Sequence, residues 1–336
     1  MSYISVGDMA QTFLFRQHGA QLKADLGRLT DELSSGRISD ISKAVSGDFT
    51  ALASIEHNLS TLKSVRLTRN EAANFAQGLQ DILGQAQALS DDLAPALLTA
   101  GSSGDATMLV NTAADAQQKF LALVSVFNTG IGERSLLAGD ATDKQPLASG
   151  QIILADLQAA IAGQTTAAGI ESVINAWFDT PGGGFETVAY QGSLNSLAPY
   201  RLGDDEEVSL GPKANDTEIR DLMKGFALAA LASDAAIASK PQEQRILMQH
   251  AGERILSAQY GISELRAGIG AAEERIQSAK ARYSAKETSL EIARNNMISA
   301  DPYKTAGELE AVRGNLEKLY TITARLSRLS LVNYLK

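Results

Sequence analysis

From Ile255 onward, apolar or small residues recur in alternating steps of three and four. They are Ile255, Ala258, Ile262, Leu265, Ile269, Ala272, Ile276, Ala279 and Tyr283, then Leu290, Ala293 and Met297, with Lys286 the single interruption. Steps averaging 3.5 keep one helix face apolar, the seam of a coiled-coil-like rod. Pro241 fits a first helical turn, and Asp301-Pro302 stops a helix. The pattern therefore predicts one helix of more than about fifty residues, about 80 Å long at 1.5 Å per residue. Its seam is expected to be rod core (Ile255, Ile262, Leu265, Ile269, Ile276, Tyr283, Leu290), covered by helices around 52–83 and 109–127.

After Pro302 the stripe resumes with Leu309, Val312, Leu316 and Leu319, then Ile322, Leu326 and Leu329. Two successive steps of three, Leu316 to Leu319 to Ile322, shift the stripe to a new face. The chain then ends on Leu331, Val332, Tyr334 and Leu335. A terminus usually frays into water and seldom carries this much apolar surface. The other end mirrors it: Leu22, Leu26, Leu29 and Leu33 form a stripe that Ser34-Ser35-Gly36 closes, glycine being a natural helix stop. A second long helix is read from about Thr50 towards Asp92, with Leu52, Ile55, Leu59, Leu62, Ala73, Ala76, Leu79 and Leu83 inward. Pro95 and the Gly101-Ser102-Ser103-Gly104 turn follow it. Asp105 caps a third helix carrying Leu109, Ala113, Phe120, Leu123, Val124 and Phe127 and running to Gly130.

The middle breaks this regularity. Pro146, Pro181, Pro199 and Pro212 are four of the seven prolines, and the sole tryptophan, Trp177, lies among them. Runs such as Phe185 to Tyr190 read as short strands. Residues 151–240 hold five Lys/Arg against twelve Asp/Glu, so most of the net charge of −9 falls there and the helical ends are nearly balanced. The fold class that results is mainly α: an elongated rod of long paired helices from both termini, with a mixed α/β or β-containing central insert exposed as an acidic knob. The expected division is terminal helices at 1–45 plus 300–336, a helical rod at 46–135 plus 225–299, and an insert at 136–224.

Composition narrows the function. A charge of −9 opposes nucleic acid and an anionic membrane surface, both of which reward basic patches. Absence of cysteine removes disulfides and thiolate metal sites. The opening MSYISVGDMAQTFLFRQ lacks the cationic and unbroken apolar regions of a secretory signal. No window approaches the apolar length of a membrane span. The histidines, His18, His57 and His250, are scattered and lack ligand spacing. Asp204-Asp205-Glu206-Glu207 reads as a solvated acidic turn, since four adjacent carboxylates do not converge on one ion. Gly268-Ile269-Gly270 lies inside the heptad seam with no preceding strand, which argues against a dinucleotide loop. Asp91-Asp92 and Glu273-Glu274 are helix-surface charges. No catalytic residue, metal ligand or cofactor site is read from the sequence.

Four short stretches carry a resemblance. Leu29 to Ile38, LTDELSSGRI, is similar to the leucine-rich helix ending in LSSG of the flagellin superfamily of bacterial flagellar axial proteins. Gly132 to Leu147, GERSLLAGDATDKQPL, resembles a turn of the hook–filament junction family within it. Tyr190-Gln191-Gly192 resembles an element of that family's insert, and Ala324 to Leu335, ARLSRLSLVNYL, resembles its ending. Two features depart from the superfamily: Ser39 to Phe49 replaces a PSDDPAG-like loop, and the flagellin signature rich in RNANDG is missing. The resemblance implies an extracellular structural protein of the flagellum, exported through the type III channel without a cleaved signal. It implies a ring of identical copies, a hook-associated neighbour on one side and flagellin or its neighbour on the other, and an export chaperone on the C-terminal helix. The assembly interface is then expected at Leu22, Leu26, Leu29, Leu33, Leu309, Leu316, Leu319, Ile322, Leu326, Leu329, Leu331, Val332, Tyr334 and Leu335. A filament flagellin and a coiled-coil tether or translocator of another secretion system remain the alternatives.

Overall fold

A computed structural model describes the backbone of residues 6–334 and the side chains of residues 9–326. The fold is mainly α, and the only sheets among these residues are two antiparallel ladders of two-residue strands. The chain divides into two compact units, one of residues up to 61 together with those from 285 on, the other of residues 62–284.

Helix α1 runs Val6–Ser35 and ends where Gly36 takes φ +67° and donates its N–H to the Glu32 carbonyl at 2.9 Å. That is a glycine stop in the left-handed region. A single turn, α2 (Ile41–Ala44), is capped by Asp40. Helix α3 then runs Thr50–Ser103, past the end near Asp92 that the sequence predicts, with Pro95 inside it. A proline within a helix costs about 3 kcal/mol. Beyond it, however, Leu97 and Ala100 lie fully buried, and Leu98 packs on Gly252. Burying one large apolar side chain stabilises by roughly 1.5–3 kcal/mol, so continuation wins. Gly104 (φ +71°) ends the helix, and the Asp105 carboxylate accepts from the N–H groups of Thr107 and Met108 to start α4 (Ala106–Phe127), as the sequence predicts.

Strands β1 (Gly130–Ile131) and β2 (Arg134–Ser135) form the first ladder; α5 (Gly150–Ala160) and α6 (Ala167–Asp179) follow. Phe185–Ala189 is a π-helix rather than the strand its composition suggests. It closes with the Tyr190 N–H donating to Phe185 O at 2.7 Å. Gly184 permits it, because a Cβ there would strike the Trp177 ring, and the Phe185 ring stacks on Phe178 at 5.4 Å. Strands β3 (Tyr200–Arg201) and β4 (Glu207–Val208) make the second ladder, leading to α7 (Thr217–Leu231) and α8 (Ala235–Ala238).

The middle of the chain is not an exposed knob. Leu147, Ile153, Ile170, Trp177, Phe185 and Leu202 join one core with α4, with α3 from Ala72 to Ala100, and with α7, which is buried along nearly all its length. Its acidic charge is paired where it meets that core: Lys224, nearly buried, donates to Asp179 at 2.8 Å and Asp221 at 2.7 Å. The Trp177 indole N–H donates to Asp156 at 2.7 Å.

Helix α9 runs Pro241–Ile298 over 58 residues, and α10 runs Pro302–Tyr334. In the second unit the predicted seam packs inside the chain. Ile255, Ile262, Ile269 and Ile276 are buried in the shared core, and Leu265 and Tyr283 pack half-buried against it. Leu290 is half-buried in the first unit.

Candidate assembly interface

The first unit pairs the two ends of the chain. α1 and α10 pack against each other, running antiparallel because the end of α1 is tied to the start of α10. The Ala300 N–H donates to Gly36 O at 3.0 Å and the Ile38 N–H to Ile298 O at 2.9 Å. The helices approach closely where α1 has no side chain: a Cβ on Gly19 would lie 3.3 Å from Leu319 Cδ2. Of the residues expected to form the interface, Leu29 and Leu316 are buried, while Leu22, Leu26, Leu309 and Leu319 are half-buried. Leu33, Ile322 and Leu326 are exposed. The side chains of Leu329, Leu331, Val332 and Tyr334, and Leu335 altogether, lie outside the described residues.

The pairing of helices from both termini puts α10 against α1, and within the chain Leu29 is buried and Leu22 and Leu26 are half-buried, while Leu33 is not covered. Other apolar residues of the pair stay open. Met9, Phe13 and Leu14 on α1 and Tyr303, Tyr320, Ile322 and Leu326 on α10 are exposed, Tyr303 at 92%. Met9, Phe13, Leu14, Tyr303 and Tyr320 are absent from the stripes read in sequence, because they fall off the heptad positions. The signal that marks them is apolar content in excess of one stripe. Charge within the pair is local: Arg28 donates to Glu32 at 3.1 Å, and Lys23 lies 5.9 Å from the Tyr320 ring centre.

Two of the quoted motifs meet in space. The Ser193 N–H, just after Tyr190-Gln191-Gly192, donates to Ala138 O at 2.9 Å, and the Gln191 N–H to Pro146 O at 2.9 Å. Gly139 takes φ +64°, and a Cβ on it would strike the carbonyls of Ser193 and Asn195. Gly192 likewise faces the Tyr190 hydroxyl and Ala138. Their glycines are required by close backbone approach.

The chemistry-bearing residues do not gather. Among the described residues no group of three or more His, Cys, Asp or Glu is placed to hold a metal ion. At the 204–207 turn the Asp204 N–H donates to the Tyr283 hydroxyl, Glu206 pairs with Arg282, and Arg69 lies over the Tyr283 ring at 4.6 Å. His250 Nδ1 lies 2.9 Å from the Glu171 carboxylate, whose other oxygen accepts from Arg254 at 3.0 Å. Gly268 and Gly270 are interior to α9. Among the described residues no helix is long and apolar enough to cross a membrane.

Residues 253–335 match the family described as bacterial flagellin C-terminal helical region. The matched stretch takes in most of α9 and α10. No curated protein matches the chain. The match covers about a quarter of the chain and is a likeness of its C-terminal helices to that region.

Proposed function

We propose that this chain is a hook–filament junction protein, polymerising through its paired terminal helices. The observation that carries the reading is the α1–α10 pair, which leaves Phe13, Leu14, Tyr320, Ile322 and Leu326 exposed in the isolated chain, together with the resemblance of the ARLSRLSLVNYL ending. Neighbouring copies in a ring are the cover: each Leu or Ile buried between copies stabilises by roughly 1.5–3 kcal/mol. A hook-associated protein borders the ring on one side and flagellin or its neighbour on the other. The chain leaves the cell by the flagellar type III channel, with a chaperone on the C-terminal helix. A filament flagellin is the second reading, favoured by the match of residues 253–335 to a flagellin region. Immunogold labelling of intact flagella separates them. A single band between hook and filament is expected; label along the whole filament length overturns the junction assignment in favour of the filament subunit.

A further inference from the structure

Two loops of the second unit are joined at Asn195. Its side-chain amide donates to the Asp140 carboxylate at 3.2 Å, and its carbonyl accepts from the Asp140 N–H at 3.1 Å. Beside it the Ser193 N–H donates to Ala138 O at 2.9 Å. Gly139 fits there only because it has no side chain, since a Cβ would strike the Asn195 carbonyl. Lys213 Nζ donates to the neighbouring Ser196 hydroxyl at 3.0 Å. Outside its helices the chain has three asparagines, Asn128, Asn195 and Asn215. Asn128 is half-buried, with both ends of its amide held by the Leu147 backbone. Asn215 is half-buried, and the N–H that follows it, that of Asp216, donates to Lys213 O at 2.9 Å. Asn195 differs from both. It is exposed, a small residue follows it, and the Ser196 N–H has no acceptor among the described residues.

We propose that Asn195 is a self-modification site, a deamidating asparagine whose products release this joint. Asparagine is among the chemically labile side chains. The Ser196 backbone nitrogen attacks the Asn195 side-chain carbonyl carbon and closes a five-membered succinimide. The amide nitrogen leaves as ammonia, taking the Ser196 N–H proton with it. Water then opens the ring at either carbonyl to give aspartate or isoaspartate, so the net change is water in and ammonia out. No cofactor or second protein takes part. Inside a helix the step is blocked, because the following N–H is bonded to the preceding turn and the backbone is fixed. Aspartate at 195 removes the donor to Asp140 and sets a second carboxylate beside it, and like charges that close repel. Isoaspartate routes the main chain through the former side chain, adding one backbone carbon where Gly139 leaves no room. Lys213 offsets part of the repulsion but not the added carbon. Either product loosens the hold of residues 190–196 on residues 138–140, while Leu137 and Leu147 stay in the core beneath. The change belongs to the single chain and does not depend on the assembly reading.

The site is tested on the full-length protein, kept warm in mildly alkaline buffer and sampled over days by peptide mapping and mass spectrometry. The peptide holding Asn195 should be the first to exchange ammonia for water, and should split into aspartate and isoaspartate forms. Peptides holding Asn128 and Asn215 should lag well behind. Asn195→Gln, whose ring closure is less favourable, should abolish the change at this position. Equal or earlier change at Asn128 or Asn215, or none at Asn195, overturns the site. The release is read separately, by amide exchange at Asp140 and Ser193. Asn195→Asp should speed both by about tenfold, as loss of a hydrogen bond to a charged group does. Adding Asp140→Asn exchanges the two partners and should slow them again. Exchange unchanged by Asn195→Asp overturns the release, and acceleration that Asp140→Asn leaves in place overturns its assignment to the facing carboxylates.

Discussion

A single carboxylate shows how charge ties the helices of the second unit. Glu171 on α6 reaches both His250 and Arg254 on α9. Burial alone pushes its carboxyl up, but these two partners outweigh burial and hold it below the ordinary value of 4.5. A carboxylate lowered in the folded state contributes stability above its unfolded pKa, and that contribution is lost as pH falls through the folded pKa. Glu171→Gln is therefore expected to lower stability by about 1 kcal/mol at pH 7, a figure kept small because the pair is partly solvated. The gap between variant and parent should close in acid, as pH falls through the lowered folded pKa. Denaturant midpoints at neutral and acidic pH check it, and a gap that persists in acid would assign the loss to packing. Asp216 has the opposite sign, because burial raises its pKa; its contribution declines as pH rises. None of this was legible in sequence. Glu171 and His250 are 79 residues apart, and no local pattern links them. Gly36, Asp105 and Pro302 were legible, since each acts on the backbone of its own helix end.

At the scale of elements, legibility followed the source of stability. The α9 seam could be read because its burial has a period, and one apolar face meets one core along most of the helix. Ile269 is nearly buried while Leu265 is half-buried against the same core. Ile269→Ala should then destabilise the monomer by about 2–5 kcal/mol, and Leu265→Ala towards the lower end of that range. Thermal melts decide it; two unchanged curves would mean that the seam contributes no core. The end of α3 was misread because a proline rule is local, whereas Leu97 and Leu98 repay the break through contacts far along the chain. The π-helix at Phe185–Ala189 was invisible for the same reason. Its geometry depends on Trp177 filling the space that Gly184 leaves empty, and periodicity carries no trace of that. The helices α5 and α6 are short and capped by Ser149 and Thr166; amid glycines and prolines their periods are too brief to stand out.

At the scale of the molecule, the apolar surface is distributed unequally. The second unit closes around one continuous core from Ala72 to Ala279. In the α1–α10 pair, by contrast, only Leu29 and Leu316 are buried among its large apolar residues whose side chains are described, and exposed ones lie on both helices. Local opening costs least where burial is sparse, so amide exchange along the chain should be fastest in α1 and α10 and slowest in α4, α7 and the Ile255–Ile276 stretch of α9. The same inequality separates stability from assembly. Truncation after Tyr320 removes Ile322 and Leu326, both exposed, together with the Leu329, Val332 and Leu335 positions outside the described residues. Because the side chains described there are exposed rather than part of a core, the melting temperature should shift by less than about 2 °C. Incorporation at the hook tip, read by motility complementation, should be abolished, since on the assembly reading those residues find their cover in neighbouring copies. A truncated chain that restores motility would show that the ending is dispensable for polymerisation. One that melts many degrees lower would show that the ending packs on its own monomer, and the uncovered face would then have to be sought on α1 around Phe13 and Leu14.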